Sequence, residues 1–426
     1  MTNPASYPPF FELPDEQRVV VTGLGIVGPL GNDVPTTWSA MLEGRSGIGP
    51  LTKFDAPWFE PGIVGEVRNF HPEGIIPPKD LRRMTVPAQY AVVVAQQAAA
   101  DAALIIDDSN AADVGVIFGS AGGGYGLIIE QEHLLQQKGA RRISPFLISH
   151  MLPDSSSGHI AIALGARGPN MCPTSACATG TTAVGEAFET VRRGDAKAIV
   201  CGGTDEPIVP LMLAGFQALR GMAKDDDPTK ACKPFDARRS GFVIGEGAAA
   251  LVLESMASAK ARGARMYAEV IGYGSANDAY DMEASHESAR APVLAMQMAL
   301  RKGGIPFEEV DYINPHGTGT PLNDKVETLA IKKVFGEHAY SLAISSSKSM
   351  VGHLMGGSGA LEALVTVKTI AEGVIPPTIN YEVPDPDCDL DYVPNVARPA
   401  EVRAALSNSV GLGGHNASVL FRRIEA

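Results

Sequence analysis

Residues 173–194 read PTSACATGTTAVGEAFETVRRG, and their spacing is that of a helix. Ala183, Val184, Ala187, Phe188 and Val191 recur at intervals of one, three and four, with Glu186, Glu189, Arg192 and Arg193 between them and Gly194 as a stop. The pattern predicts an amphipathic helix that begins at or just after Cys177. A helix N-terminus presents unpaired N–H groups and about half a positive charge, which favours a thiolate and lowers a thiol pKa from its usual ~8.5. Two readings of Cys177 stand at this point: a nucleophile, or a small buried residue packed among Ala, Thr and Gly.

Working outward, short β-branched and aliphatic runs alternate with helical ones. Residues 18–25 (RVVVTGLG), 114–124 (VGVIFGSAGGG), 198–203 (AIVCGG) and 248–253 read as buried strands, and 36–44, 86–103 and 255–263 as helices. From Tyr267 the order begins again. YAEVIGYGSA echoes RVVVTGLG, VDYINPHGTGT echoes VGVIFGSAGGG, and SSSKSMVGHLMGGSGALEALVTVKTIAEG (345–373) echoes the cysteine segment. SNSVGLGGHNASVLF, from Ser407, echoes the strand, turn and strand of 198–253. The chain is therefore expected to be a diverged internal duplication of α/β type with mostly parallel pairing, its halves spanning 1–265 and 266–426.

Composition narrows the function. A formal charge of −13 with no basic run interleaved with aromatics argues against nucleic-acid binding. Five cysteines, an odd number with no CxxC pair, favour a reducing compartment, and neither His nor an acid sits between Cys172 and Cys177 at zinc-site spacing. There is no signal-like N-terminus and no apolar run of about 18 residues, so a cytoplasmic protein without membrane contact is expected. GSAGGG lacks GK[ST] and does not fit GxGxxG, which leaves close backbone packing as its better explanation. Lys79, Arg82 and Arg83 form a basic cluster that reads either as a solvated helix face or as a receptor for an acidic partner.

Groups able to serve a thiol lie in the second half. His316 (INPHGTGTP) follows a strand and His353 precedes a helix, both beside Gly and hydroxyl residues, where α/β loops bind ligands. Two such histidines opposite a helix-start cysteine point to catalysis. Lys348 and Glu362 are spaced to form a buried pair fixing the loop, and His415 reads as backbone packing. A thiol hydrolase also fits a Cys and a His, but leaves the second histidine and Lys348 without a task.

PTSACATG, INPHGTGTPLND, SSKSMVGHLMGGSGALE and NSVGLGGHN, in that order across 18–423, resemble the elongating β-ketoacyl-acyl-carrier-protein synthases of bacteria, both the type II synthase and the ketosynthases of type II polyketide systems. The resemblance implies the thiolase fold, a duplicated five-layer α-β-α-β-α arrangement, and a dimer. It implies a Cys177, His316, His353 site supported by Lys348 and Glu362, with the N–H groups of Cys177 and Leu412 as an oxyanion site. Thr318 and Thr320 match contacts to a phosphopantetheine arm, and Gly122, Phe216 and Leu412 match an acyl pocket. Lys79, Arg82, Arg83 and Arg220 match docking positions for acyl carrier protein. No metal and no cofactor of the enzyme's own is implied, because the carrier's arm brings the substrates. The resemblance also admits pairing with a chain-length-factor-like subunit; such non-catalytic partners usually lack the cysteine, which is present here.

Four departures from the family pattern bear on the site. Leu412 replaces a gating phenylalanine (NSVGLGG for NSFGFGG), Gly122 replaces an isoleucine that limits the acyl pocket, and Asp281 and Glu283 replace a histidine and a threonine (DAYDMEAS for DAYHMTAP). From sequence, Gly122 is expected to open the pocket to longer chains and Glu283 to add charge at the entrance of the carrier arm.

Overall fold

A computed structural model describes residues 10–60 and 62–424. Ten strands form its central framework: β1 (Val19–Val27), β2 (Val114–Gly119), β3 (Asn170–Met171), β4 (Ala198–Asp205), β5 (Gly247–Ser255), β6 (Ala268–Asn277), β7 (Val310–Asn314), β8 (Ala343–Ile344), β9 (Ala404–Gly411) and β10 (His415–Arg422). They are hydrogen-bonded in the order β8-β7-β9-β10-β6-β1-β5-β4-β2-β3. The first five thus lie in the order 1-5-4-2-3, and the second five repeat that order.

The pairing is mixed, not mostly parallel as expected: five of the nine pairings in this sheet are antiparallel, because the strand that closes each half returns against its neighbours, and the senses repeat between the halves. β2 is parallel to β3 and β4, and β5 is antiparallel to β4 and β1. In the second half β7 is parallel to β8 and β9, and β10 is antiparallel to β9 and β6. Among the described residues, the two five-stranded sheets join where Val19–Val21 pairs with 268–270. Every residue of β1, β2, β4 and β5 is buried, as strands covered on both faces require.

Helices supply the other three layers. α1 (Val86–Asp101) covers the outer face of the first sheet, and α3 (Arg290–Gly303) the outer face of the second, with α4 (Pro321–Phe335) beside it. Between the sheets lie α2 (Thr179–Arg192) and α5 (Ser358–Glu372), packed on each other and on both sheets. One apolar core runs through this middle layer, joining Ala183, Val184, Ala187, Phe188 and Val191 to Leu361, Leu364, Val365 and Ile370. The expected duplicated α-β-α-β-α layering is therefore the observed one.

The two central helices touch through their backbones. A Cβ on Gly180 would lie 2.5 Å from the amide nitrogen of Ala360 and 2.8 Å from the carbonyl oxygen of Gly356, so only glycine permits this approach. Each helix is entered the same way. A 3₁₀ turn, Ala176–Ala178 in one half and Met355–Gly357 in the other, precedes it, and the first residue of both turns has φ of 49°. Cys177 and Gly356 thus occupy equivalent places in the duplication.

Sequence reading missed the helices Tyr125–Lys138 and Ser155–Leu164. In the first only Gln131 is buried, and its Leu127, Ile128, Ile129, Leu134 and Leu135 form no buried face.

Candidate active site

Cys177 sits in the turn before α2, one residue past the strained Ala176, at a cavity of about 370 Å³. His316 and His353 line the same cavity, their rings 5.3 Å apart and nearly perpendicular. Phe216, Phe242, Met355 and Leu412 add apolar wall, and Thr318, Thr320 and Glu283 contribute polar groups.

The local chemistry of the thiol differs from the sequence expectation. α2 begins at Thr179, and burial raises the Cys177 thiol to about 11, while the Leu412 N–H, the Lys348 charge and its own N–H pull the other way. These lowering effects are smaller than the rise from burial, because Cys177 packs with Phe216, Phe242 and Met355. The resting group is a thiol. Two backbone N–H groups, those of Cys177 and Leu412, nonetheless converge on the sulfur, where they can receive a developing oxyanion.

His316 follows β7 on a loop held from below. The Glu327 carboxylate of α4 accepts the N–H groups of His316 (2.7 Å) and Gly317 (2.8 Å), and Ser346 donates to the Gly317 carbonyl (2.6 Å). Lys348 Nζ donates to the His316 carbonyl at 2.7 Å and lies 3.3 Å from Nδ1. An ammonium can only donate, so Nδ1 is the acceptor and Nε2 carries the proton. Lys348 is in turn paired with Glu362 of α5, both side chains buried.

His353 is pinned by its backbone. Its N–H donates to Val243 (2.7 Å) and its carbonyl accepts from Gly245 (2.8 Å). The Ser358 hydroxyl, at the head of α5, accepts from Leu354 N–H (2.8 Å) and lies 2.9 Å from His353 Nδ1. We assign the Ser358 hydroxyl as the donor to Nδ1, which leaves Nε2–H as a donor, and Nε2 has no partner among the described residues. Burial, then Lys348, hold both imidazoles well below their usual range, with His353 adding to the effect on His316, so both are neutral at pH 7. The site therefore offers one thiol, two neutral N–H donors and two backbone donors around one cavity.

Other anticipated residues fall into three groups. The Thr318 and Thr320 hydroxyls, 3.0 Å apart, line the cavity, as do Phe216 and Leu412, the latter 41% exposed. Lys348 and Glu362 stand behind His316 and do not line it. Arg220 is exposed between cavity residues Leu219 and Gly221, while Lys79, Arg82 and Arg83 are exposed on and after the short helix Pro78–Leu81, with Arg83 over the Phe146 ring at 4.8 Å.

Gly122 departs from expectation. It does not line the cavity, and the ring of Tyr125 lies where its side chain would project, with Cζ 1.5 Å from an added Cβ. The missing side chain has been replaced by a neighbouring one, so no space is opened. Glu283 does line the cavity, and Asp281 shapes its turn by accepting the N–H groups of Glu283 (2.8 Å) and Ala284 (3.0 Å). Gly413 N–H donates to the Met282 carbonyl at 2.8 Å, tying that turn to the Leu412 loop.

Two supporting residues were missed. Asp205, at the end of β4, accepts from Ser120 (2.7 Å), the N–H groups of Ala121 (3.0 Å) and Gly122 (3.2 Å), and Gly356 N–H (2.7 Å), joining the turns of the two halves. Burial raises its pKa to about 6. Glu327 was legible as an acid on the buried face of α4, four residues before Ile331 and eight before Phe335.

A duplicated α-β-α-β-α fold with its two central helices entered beside a shared cavity defines the thiolase-like condensing enzymes. Residues 16–259 match the description "Beta-ketoacyl synthase, N-terminal domain" and residues 267–382 "Beta-ketoacyl synthase, C-terminal domain". The 3-oxoacyl-[acyl-carrier-protein] synthase 2 of Synechocystis sp. is 48% identical over 96% of this chain and 99% of its own length. Among solved structures, the ishigamide ketosynthase/chain length factor superposes with a TM-score of 0.88 at 36% identity, covering 96% of this chain and 100% of that one. A ketosynthase bound to a hexaketide, in complex with its type II PKS acyl-carrier protein, gives 0.87 at 33% identity with the same coverage. This chain belongs to the β-ketoacyl synthase family.

Proposed function

We propose that the protein lengthens an acyl chain by two carbons through decarboxylative Claisen condensation with malonyl-acyl carrier protein, with residues 1–265 supplying the nucleophile and 266–426 the two histidines. The observation that carries this reading is the convergence of Cys177, His316 and His353 on one cavity.

In the first half-reaction the Cys177 sulfur attacks the thioester of an acyl carrier protein; the acyl–sulfur bond to the carrier breaks, and the thiol proton ends on the released carrier thiol. No net base is consumed, which suits a thiol with a raised pKa. In the second, malonyl thioester enters past Thr318 and Thr320. Its carboxyl carbon–carbon bond breaks, CO₂ departs, and the electron pair passes into an enolate whose oxygen accepts from Nε2–H of His316 and His353. The enolate carbon attacks the acyl–Cys177 carbonyl, and the N–H groups of Cys177 and Leu412 receive the oxyanion. Collapse expels the Cys177 sulfur as a thiolate, which takes up one proton from solvent, balancing the charge lost with the malonyl carboxylate. Lys348 and Glu362 act by orienting His316.

Relatives with named carrier proteins support acyl carrier protein as the partner, docking on Lys79, Arg82, Arg83 and Arg220. A second copy of the chain is the proposed neighbour at the outer edge of the sheet. There the short strand β3 is exposed and Phe146, Ile148 (65%), Ile162 (80%) and Met171 lie open. A chain-length-factor-like subunit on that face is the alternative the test must separate, by intact mass of the purified complex. The described helices include none long and apolar enough to cross a membrane, and all five cysteines are free, in keeping with work in the cytoplasm.

Supplying acyl and malonyl carrier proteins together and weighing the carrier-bound products tests the reaction. The reading predicts a β-ketoacyl carrier two carbons longer and CO₂ in equal amount. Release of free acid without CO₂ would instead indicate a thiol hydrolase.

A further inference from the structure

Three consecutive glycines, Gly122, Gly123 and Gly124, lead into the helix Tyr125–Lys138. The turn is tied down: Asp205 accepts from Ala121 and Gly122, and Ser120 Oγ accepts from Gly123 N–H at 2.9 Å. A Cβ on Gly122 would lie 1.5 Å from Tyr125 Cζ and 1.6 Å from its hydroxyl oxygen. The tyrosine ring therefore stands in the space of the absent side chain.

That space adjoins the nucleophile. Ala121 packs in the same apolar cluster as Cys177, Phe216, Phe242 and Met355, yet neither Ala121, Gly122 nor Tyr125 lines the cavity. Cys177 and Met355 stand on the cavity wall, and the Tyr125 phenol lies close enough to feel Cys177 and Asp205 without itself reaching the cavity. The open side of the cavity, where Glu283, Leu322 and Leu412 are exposed, must stay free for the second substrate, so an acyl tail on Cys177 has to run the other way, through the apolar cluster towards Ala121. We infer that Tyr125 is the specificity-determining residue that limits the length of the acyl chain held on Cys177, because its ring closes the space beside Gly122 that a long tail has to enter.

The inference rests on the reading of Cys177 as the acyl-holding residue. Two further observations support it. Tyr125 is only half-buried, and its hydroxyl pairs with no donor or acceptor among the described residues, so packing alone holds the ring in place. Burial, then the neighbouring Asp205 and Cys177, push the phenol well above its ordinary range, so it stays protonated and presents a polar group where a methylene chain would lie.

The test is loading of Cys177 from a graded series of saturated acyl carrier thioesters, butyryl to myristoyl, followed by intact mass. Wild type is expected to load butyryl in preference to myristoyl by at least ~10-fold, the scale on which apolar pockets discriminate by fit. Tyr125→Ala should lower that ratio by at least ~10-fold, through faster myristoyl loading. Tyr125→Phe keeps the ring and should keep the preference for butyryl. Tyr125→Leu, which keeps an apolar side chain at the helix start, should give an intermediate ratio and decides the matter if the alanine variant does not fold. A wild-type ratio in Tyr125→Ala or Tyr125→Leu, or equal loading of both chains by wild type, would overturn the assignment of Tyr125. Failure of wild type to load any acyl group would overturn the reading of Cys177 instead.

Discussion

Lys348 lies buried against His316, its ammonium 2.7 Å from that residue's carbonyl oxygen and 3.3 Å from Nδ1. One cation thereby fixes both the loop and the ring, leaving Nε2–H as the only proton His316 presents to the cavity. The opposite side of the same ammonium meets Glu362, whose pKa burial raises to about 7 even against the lysine's pull.

Replacing Lys348 by Met should release the His316 tautomer and strand a buried carboxylate. Malonyl decarboxylation is expected to fall by at least ~100-fold, the cost of losing one preorganised donor, while acyl loading of Cys177 persists. Stability should drop by about 3 kcal/mol, the lower end for breaking a buried pair, because Glu362 can take up a proton. CO₂ release, intact mass and urea unfolding read the three effects. Equal loss of loading and decarboxylation would place Lys348 in the structure alone.

Both imidazoles have pKa values well below 6.5, and protonating His316 would set a second cation beside Lys348. A depressed pKa keeps the neutral form as pH falls through 6.5. The acid limb of malonyl decarboxylation should therefore lie below 6.5 and not at it. Initial rates of CO₂ release across pH 5 to 8, corrected for unfolding, check this, and a midpoint at 6.5 or higher would contradict neutral donors.

The Cys177 thiol, raised to about 11, should be alkylated at a rate that keeps climbing with pH through the alkaline range without a plateau near neutrality. Peptide mapping after timed iodoacetamide treatment follows it separately from Cys172, also raised to about 11. A plateau already reached at pH 7 would restore the thiolate expected from the helix start.

Gly180, just past the Cys177 turn, meets Ala360 and Gly356 backbone to backbone, at the turn Met355–Gly357 that follows His353. Gly180→Ala should push these turns apart, at about 1–3 kcal/mol for overpacking. Condensation should fall on the order of 100-fold from the displacement. Thermal unfolding and product formation read the two, and a variant with unchanged turnover would mean the approach does not set the site.

The duplication was readable because strand, turn and helix patterns recur in order, and the repeated 1-5-4-2-3 strand order bears that out. The central helix was equally plain, since Ala183 to Val191 keep helical spacing on a buried face. The expected Lys348–Glu362 pair also formed. What sequence could not supply was environment. The pKa of Cys177 depends on Phe216, Met355 and the Leu412 loop, which arrive from distant segments. Gly122 misled for a related reason: a missing side chain says nothing of the neighbour that moves into its place, and here Tyr125 does. Asp205 ends a strand like many polar residues, and only its four hydrogen bonds reveal that it joins the two halves.

The most direct test follows the acyl group itself. Wild type is incubated with an acyl carrier thioester, and the modified peptide is located by mass; malonyl carrier protein is then added. The account predicts an acyl group on Cys177 that disappears as a β-ketoacyl carrier two carbons longer is formed, and no such product from Cys177→Ala. An acyl group on another residue, or continued product formation by Cys177→Ala, would contradict it.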